Sequence, residues 1–142
     1  MNLTTKSRIL ATEKHKSQRY GEYNYHYHLV SVVEICNNLF DCDEDLVSLC
    51  WLHDIHEDCK DVTLEYLLRE GFHESLVQSI DAISKRESES RKEYLTRCMG
   101  NKNAHKVKIA DTLANLTESV RIGDYKRVRK YSEQLTFLHK EK

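Results

Sequence analysis

Residues 103–121, "NAHKVKIADTLANLTESVR", place Ile109, Leu113, Leu116 and Val120 at i, i+4, i+7 and i+11. That spacing predicts an α-helix with one apolar stripe. Asp111 and Asn115 are four apart and share a face of it. At about 100° per residue, Asp111 falls beside Val107 and Ala114, at the margin of the expected buried arc. A carboxylate there is exposed, paired or ligating, and this helix alone does not say which.

The same period extends in both directions. The chain has no proline and only four glycines, and strand-like alternation is almost absent. Helices are predicted at 4–18, 28–40, 44–55, 63–70, 73–84, 90–99, 103–121 and 124–140. Asp43, Thr63 and Asn103 are the expected N-caps, and Gly71, Gly100 and Gly123 the expected stops. The longer connections are 19–27, the segment after Ile55, and 85–90. No repeat, low-complexity tract or linker intervenes, so residues 1–142 are expected to form one compact all-α domain.

Composition narrows the function classes. With 39% hydrophobic and 32% charged residues, the chain has the balance of a soluble globular protein. A net charge of −1 gives no global field toward nucleic acid or a membrane, so neither partner is expected. No apolar run approaches the ~18 residues of a membrane span, and the first residues lack a signal-peptide core. Cys36, Cys42, Cys50, Cys59 and Cys98 are odd in number and form no C-x-x-C pair, so free thiols in a reducing cytoplasm are expected.

Polar residues then stand out where core is expected. His28 lies in line with Val32, Ile35 and Leu39, so it points inward, either hydrogen-bonded in the core or ligating. His26 lies on the far side and is the weaker ligand candidate. In "WLHDIHEDCKD", residues 51–61, His53 follows Leu49 and Cys50 by four and three residues and also faces the core. Glu57 and Asp58 come one turn after His53 and Asp54 if the helix persists. Acids at a helix C-terminus oppose the macrodipole and call for a cation, which a divalent metal would supply.

An inward His, then His-Asp, then a helical Asp, in that order, resembles the HD metal-dependent phosphohydrolase superfamily. Its branch of small alarmone hydrolases and RelA/SpoT-type hydrolase domains is the more specific likeness. Lys14, His15, Gln18, Arg19, Tyr25 and His28 within "ATEKHKSQRYGEYNYHYH" (11–28) fall on that branch's opening pattern. "WLHDIHED" (51–58), Thr63, "VKIADTLANL" (107–116) and the basic "YKRVRKYSEQLTFL" (125–138) continue it. The departures are Glu13 in place of an arginine, Leu29 in place of a proline, His56 at a normally small or apolar position, and segment 85–103. The missing arginine bears on which nucleotide is bound.

The resemblance implies a single HD-domain helical bundle of about eight helices. It implies His28, His53, Asp54 and Asp111 as metal ligands, with Mn²⁺ as the ion. Ligand chemistry alone also permits Fe²⁺, Co²⁺, Ni²⁺ or Zn²⁺. Such an ion polarises a phosphoryl oxygen and acidifies a bound water. Glu57 and Asp58 carry over as the pair that handles the nucleophilic water and the leaving-group proton. Lys14, Arg19, Lys108 and Arg127 are candidate phosphate contacts, with Lys85 and Arg86 as lid residues. Asn115 is the candidate for a ribose or phosphate hydrogen bond. One of Tyr23, Tyr25 and Tyr27, with Tyr25 on the family pattern, is a candidate to stack on the base or to pack in the core. His56 is expected in a structural role.

The implied activity is 3′-pyrophosphate hydrolysis of the stringent-response alarmone (p)ppGpp, a small-molecule nucleotide, in the cytoplasm of a cell or of a viral host. Two alternatives stay open: a phosphatase on a dNMP, NADPH or an adenosine alarmone, and a non-catalytic nucleotide-sensing helical module. The sequence leaves the oligomeric state open.

Overall fold

The computed structural model describes residues 1–140. In chain order the elements are α1 (Leu3–Lys14), β1 (Arg19–Tyr20), β2 (Tyr23–Asn24), α2 (Tyr25–Leu39), α3 (Glu44–Leu52), α4 (Ile55–Asp58), α5 (Leu64–Arg69), α6 (Glu74–Ile83), α7 (Arg91–Met99), α8 (Lys102–Ile122) and α9 (Tyr125–Leu138). Among the described residues the fold is all-α apart from one two-stranded ribbon. None of these helices is long and apolar enough to cross a membrane.

The spine is α8, which packs against α2, α3, α6, α7 and α9. Its cap lies two residues earlier than expected. Asn101, not Asn103, accepts the Ala104 N–H, at 3.0 Å. It ends at Gly123, whose φ of 73° is left-handed and favours glycine. The buried face also differs from the expected stripe. Ala104, Val107, Asp111, Ala114 and Glu118 are buried, whereas Leu113 and Leu116 are half-buried and Val120 is 57% exposed. Asp111 therefore sits at the centre of the buried face rather than at its margin. Ile109 of the expected stripe is buried as well; around Asp111 the small side chains let several helices approach closely, and Leu113, Leu116 and Val120 are left at the edge or outside.

The chain around 15–25 is more structured than the sequence suggested. α1 stops at Lys14 rather than 18, with His15 as its C-cap. Residues 19–24 form an antiparallel ribbon, Arg19 opposite Asn24 and Tyr20 opposite Tyr23. Strands of two residues are too short to show alternation. Asn24 then caps α2, accepting the His26 N–H at 2.8 Å, so α2 starts three residues before His28. Its buried face carries Tyr25, His28, Leu29, Val32 and Cys36, and Leu39 turns out to be 50% exposed.

The predicted helix 44–55 is two pieces. Asp43 caps α3 as expected, accepting the Leu46 N–H at 2.8 Å. α3 ends at Leu52, Asp54 adopts φ −106° and ψ −1°, and the one-turn α4 restarts at Ile55. Glu57 and Asp58 thus do not continue α3, and the expected clash with its C-terminal dipole does not arise. Leu49, Leu52 and Ile55 are fully buried on both sides of the break and clamp it in the core. Thr63 caps α5, and the His56 ring N–H donates to the Val62 carbonyl at 2.8 Å, the structural role expected of it.

Candidate metal centre

Four side chains from three parts of the fold converge. α2 supplies His28, the α3–α4 break supplies His53 and Asp54, and α8 supplies Asp111. One ligand atom from each lies within 4.8 Å of the others. His28 Nε2 is 2.9 Å from Asp111 Oδ1, and His53 Nε2 is 3.0 Å from Asp54 Oδ2 and 3.4 Å from Asp111 Oδ1. His28, His53 and Asp111 are buried, and Asp54 is half-buried at the opening.

Neighbouring groups fix each of the four. His53 Nδ1–H donates to the Cys50 carbonyl at 2.7 Å, which leaves Nε2 for the cluster. Asp54 accepts the Tyr25 hydroxyl. Lys108 Nζ donates to Asp111 Oδ2 at 2.9 Å, and Asn115 Nδ2 to Asp111 Oδ1 at 3.2 Å. Tyr20 donates its hydroxyl to Asn115 Oδ1 at 2.7 Å and stacks on the His28 ring at 4.6 Å.

The donor set fits a divalent cation. His53 Nε2 is buried with no hydrogen-bond partner, although it faces two carboxylate oxygens. In the neutral ring that atom carries a lone pair, so lone pair would face lone pair unless a positive charge sat between them. The electrostatics say the same. Burial works to lower the pKa of His53, but Asp54 and Asp111 outweigh it and hold the ring well above its ordinary value. Burial works to raise Asp54, but His53 holds it down at about 2. Burial also opposes ionisation of Asp111, and Lys108 and His53 overcome that to keep it well below the usual range. With no metal, a proton on His53 is the compensating cation; a metal ion would replace it.

Glu57 and Asp58 stand at the mouth beside this cluster. Partial desolvation raises both carboxyls, with the Asp54 charge adding to the effect. The backbone N–H of Lys85 donates to Glu57 Oε1 at 2.7 Å, and Gln18 Nε2 to Asp58 Oδ2 at 3.0 Å.

The expected substrate contacts divide. Lys14 and Asp58 share the lining of an open cleft of about 470 Å³, where Lys14 Nζ meets Asp61 at 2.5 Å. Arg127 lines a second cleft, of about 410 Å³, with Tyr20, Glu118 and Arg121. The other candidates are engaged with the protein itself. Tyr25 is 8% exposed against the His15 ring with its hydroxyl on Asp54, which is the core-packing alternative of its two expected roles. Lys108 and Asn115 are engaged by Asp111 and face the cluster rather than an open pocket. Arg19 is held by the Glu22 carbonyl at the ribbon turn. Arg86 pairs with Asp81 at 3.3 Å, and Lys85 Nζ caps carbonyls of its own loop. Lys85 touches the site through its backbone instead. His26 lies against Trp51, outside the cluster.

Sequence reasoning missed the Cys50 carbonyl, three residues before His53 and so visible as a helical neighbour. It also missed Tyr20, whose partner Asn115 is 95 residues away and leaves no local signal.

No protein-family profile and no curated protein sequence matches the chain. In structure it is similar to a metazoan ortholog of SpoT described as hydrolysing ppGpp and playing a role in starvation responses. The two share 21% sequence identity at a TM-score of 0.77, over 98% of this chain and 86% of that one. The all-α helical bundle expected from the sequence is therefore the fold this chain adopts, and it is shared with that protein.

Proposed function

We propose that the chain is a metal-dependent pyrophosphohydrolase that removes the 3′-pyrophosphate from a guanosine alarmone, (p)ppGpp, giving GDP or GTP and pyrophosphate. The observation that carries the reading is His53 Nε2, buried and unpartnered between two carboxylates. The shared fold with a protein described as hydrolysing ppGpp supports the substrate class.

His28, His53, Asp54 and Asp111 would hold the ion, and their mixed nitrogen and oxygen donors suit Mn²⁺. When bound, such an ion polarises a phosphoryl oxygen and acidifies a water. The chain's own groups supply the rest. Asp58 and Glu57, both raised toward the range in which a carboxyl exchanges protons, take the proton of the attacking water and return one to the leaving oxygen. Lys14, in the Asp58 cleft, provides positive charge for a phosphate, and Arg127 does so in the second cleft. A nucleotide substrate of this kind places the reaction in the cytoplasm.

One observation favours a second substrate. Glu13 stands where the resembling branch carries an arginine, and it pairs with Lys16 at 2.9 Å. An anionic side chain there would not grip a guanosine tetraphosphate in the same way, which favours another phosphorylated nucleotide. The test is a panel of ppGpp, pppGpp, ppApp, NADPH and dNMPs with Mn²⁺-loaded protein, the products resolved by anion exchange. Pyrophosphate with GDP or GTP is expected. Release from another nucleotide alone would replace the substrate, and release from none would favour a nucleotide-sensing module.

A further inference from the structure

Behind Asp58 lies a buried histidine that the proposed reaction does not use. His15, the C-cap of α1, is 2% exposed and lies tilted against the Tyr25 ring, with centroids 4.8 Å apart. Its Nδ1 is 2.7 Å from Gln18 Oε1, and its Nε2 is buried with no partner. The other end of the Gln18 amide, Nε2, meets Asp58 Oδ2 at 3.0 Å.

The chemistry fixes every role in this chain of contacts. An ionised Asp58 can only accept, so Gln18 presents its NH₂ to it and turns its carbonyl oxygen toward His15. That oxygen can only accept, so His15 must carry a proton on Nδ1. The alternative, a flipped Gln18, would set its oxygen against the carboxylate and its NH₂ against the Nδ1–H. The loop backs this arrangement: the Gln18 N–H donates to the His15 carbonyl at 2.9 Å, and the Gln18 carbonyl accepts the Tyr25 N–H at 3.0 Å. Gln18 is thereby held at both main-chain ends and at both side-chain ends.

We infer that His15 and Gln18 are positioning residues for Asp58: His15, protonated on Nδ1, locks the Gln18 amide, and Gln18 ties down Asp58 Oδ2 so that Oδ1 is the oxygen left to meet water. The inference rests on the reading of Asp58 as a water-handling carboxylate. Neither residue hydrogen-bonds to a proposed metal ligand. His15 also leans on Tyr25, which donates to Asp54, so its ring backs both layers of the site.

Two measurements test this, one of them independent of substrate. Long-range ¹H–¹⁵N correlation on the intact chain reads the tautomer of His15 directly. An Nδ1–H ring is expected, changing to a mixture of tautomers in Gln18→Met. An Nε2–H ring in the wild-type chain overturns the inference whatever the substrate is. The second measurement is a kinetic cycle on ppGpp with Mn²⁺. Gln18→Met is expected to lower kcat about 10-fold with KM nearly unchanged and full metal content. His15→Leu should do the same, and His15→Asn, which keeps an N–H near the Nδ1 position, should recover most of the loss. In the Gln18→Met background His15→Leu should cost nothing further. Additive losses, or equal losses in the Leu and Asn variants, would show His15 to be a packing residue only and overturn the inference. Should His15→Leu not fold, the half-exposed Gln18 still decides through Gln18→Glu, which sets a carboxylate against Asp58 and must cost more in kcat than Gln18→Met. Inactivity of the wild-type chain on ppGpp would sink the substrate assignment and leave the tautomer result standing.

Discussion

Replacing Lys108 by Met separates the two cations that Asp111 is built to meet. Met keeps the length and apolar body of the side chain and removes only the ammonium. In the structure Lys108 Nζ is 2.9 Å from Asp111 Oδ2, with the two side chains 15% and 6% exposed. Removing one partner of a buried pair costs about 3–5 kcal/mol, because the other charge is left without compensation. The residual exposure of Lys108 puts the value near the lower end, about 3 kcal/mol. At about 3 °C per kcal/mol for a chain of this size, the metal-free variant should melt about 9 °C below the wild type. A divalent ion binds only the folded state and returns a cation to Asp111, so the deficit should shrink to about 3 °C or less at saturating Mn²⁺. Calorimetry of both proteins in EDTA and in excess Mn²⁺ reads the four melting points. An equal deficit in both conditions would refute the reasoning, since it would mean that Asp111 does not meet the ion.

Other outcomes follow from the same geometry. His53→Ala should leave the protein without bound metal on elemental analysis, and unchanged metal content would remove His53 from the ligand set. Glu57→Gln should retain the ion and lose about 100-fold or more in kcat, and full turnover would end its proposed role. In the metal-free protein His53 is held above its ordinary value of 6.5, so its contribution to stability is complete below that pH and is lost as pH rises through the elevated folded value. Asp54 is held at about 2, so its contribution is complete above its ordinary 3.8 and is lost as pH falls toward 2. Bound Mn²⁺ replaces the proton on His53 and should abolish the alkaline loss, which a melting series from pH 6 to pH 9, with and without the ion, would show or refute.

The helical class was legible because 3.6-residue spacing survives almost everywhere, and His28 could be placed inward from its register with Val32. The four proposed ligands were legible as a set only through their order along the chain, since each taken singly had an ordinary explanation. What could not be read was direction. On α8 Ile109 is buried as its spacing implied, but Leu113, Leu116 and Val120 marked the wrong side, because burial there is set by how many helices crowd the small side chains around Asp111. The break at His53–Asp54 was hidden because both residues stay near helical dihedrals and only the hydrogen-bond ladder stops. The basic residues were the least legible. A lysine or arginine on a helix reads the same whether its partner is at the surface, as Asp61 is for Lys14 at the cleft, or is a buried carboxylate, as Asp111 is for Lys108.

The inverted face of α8 also sets what the helix can tolerate. Ala104 and Ala110 are 0% exposed, and Ala114 is 5% exposed. Enlarging any of them drives a side chain into a neighbouring helix and costs about 1–3 kcal/mol, and at Ala110 or Ala114 it also shifts Asp111 against its partners. Val120 and Thr117 look outward and can change polarity or charge at little cost, whereas Arg121 is held by the buried Glu118 carboxylate at 2.7 Å. In a full substitution scan, then, the alanines of α8 should be the least replaceable positions after Asp111, and its valine at 120 among the most. Size, more than hydrophobicity, is what this helix constrains, and drift along the lineage would leave its imprint in the bulky residues first.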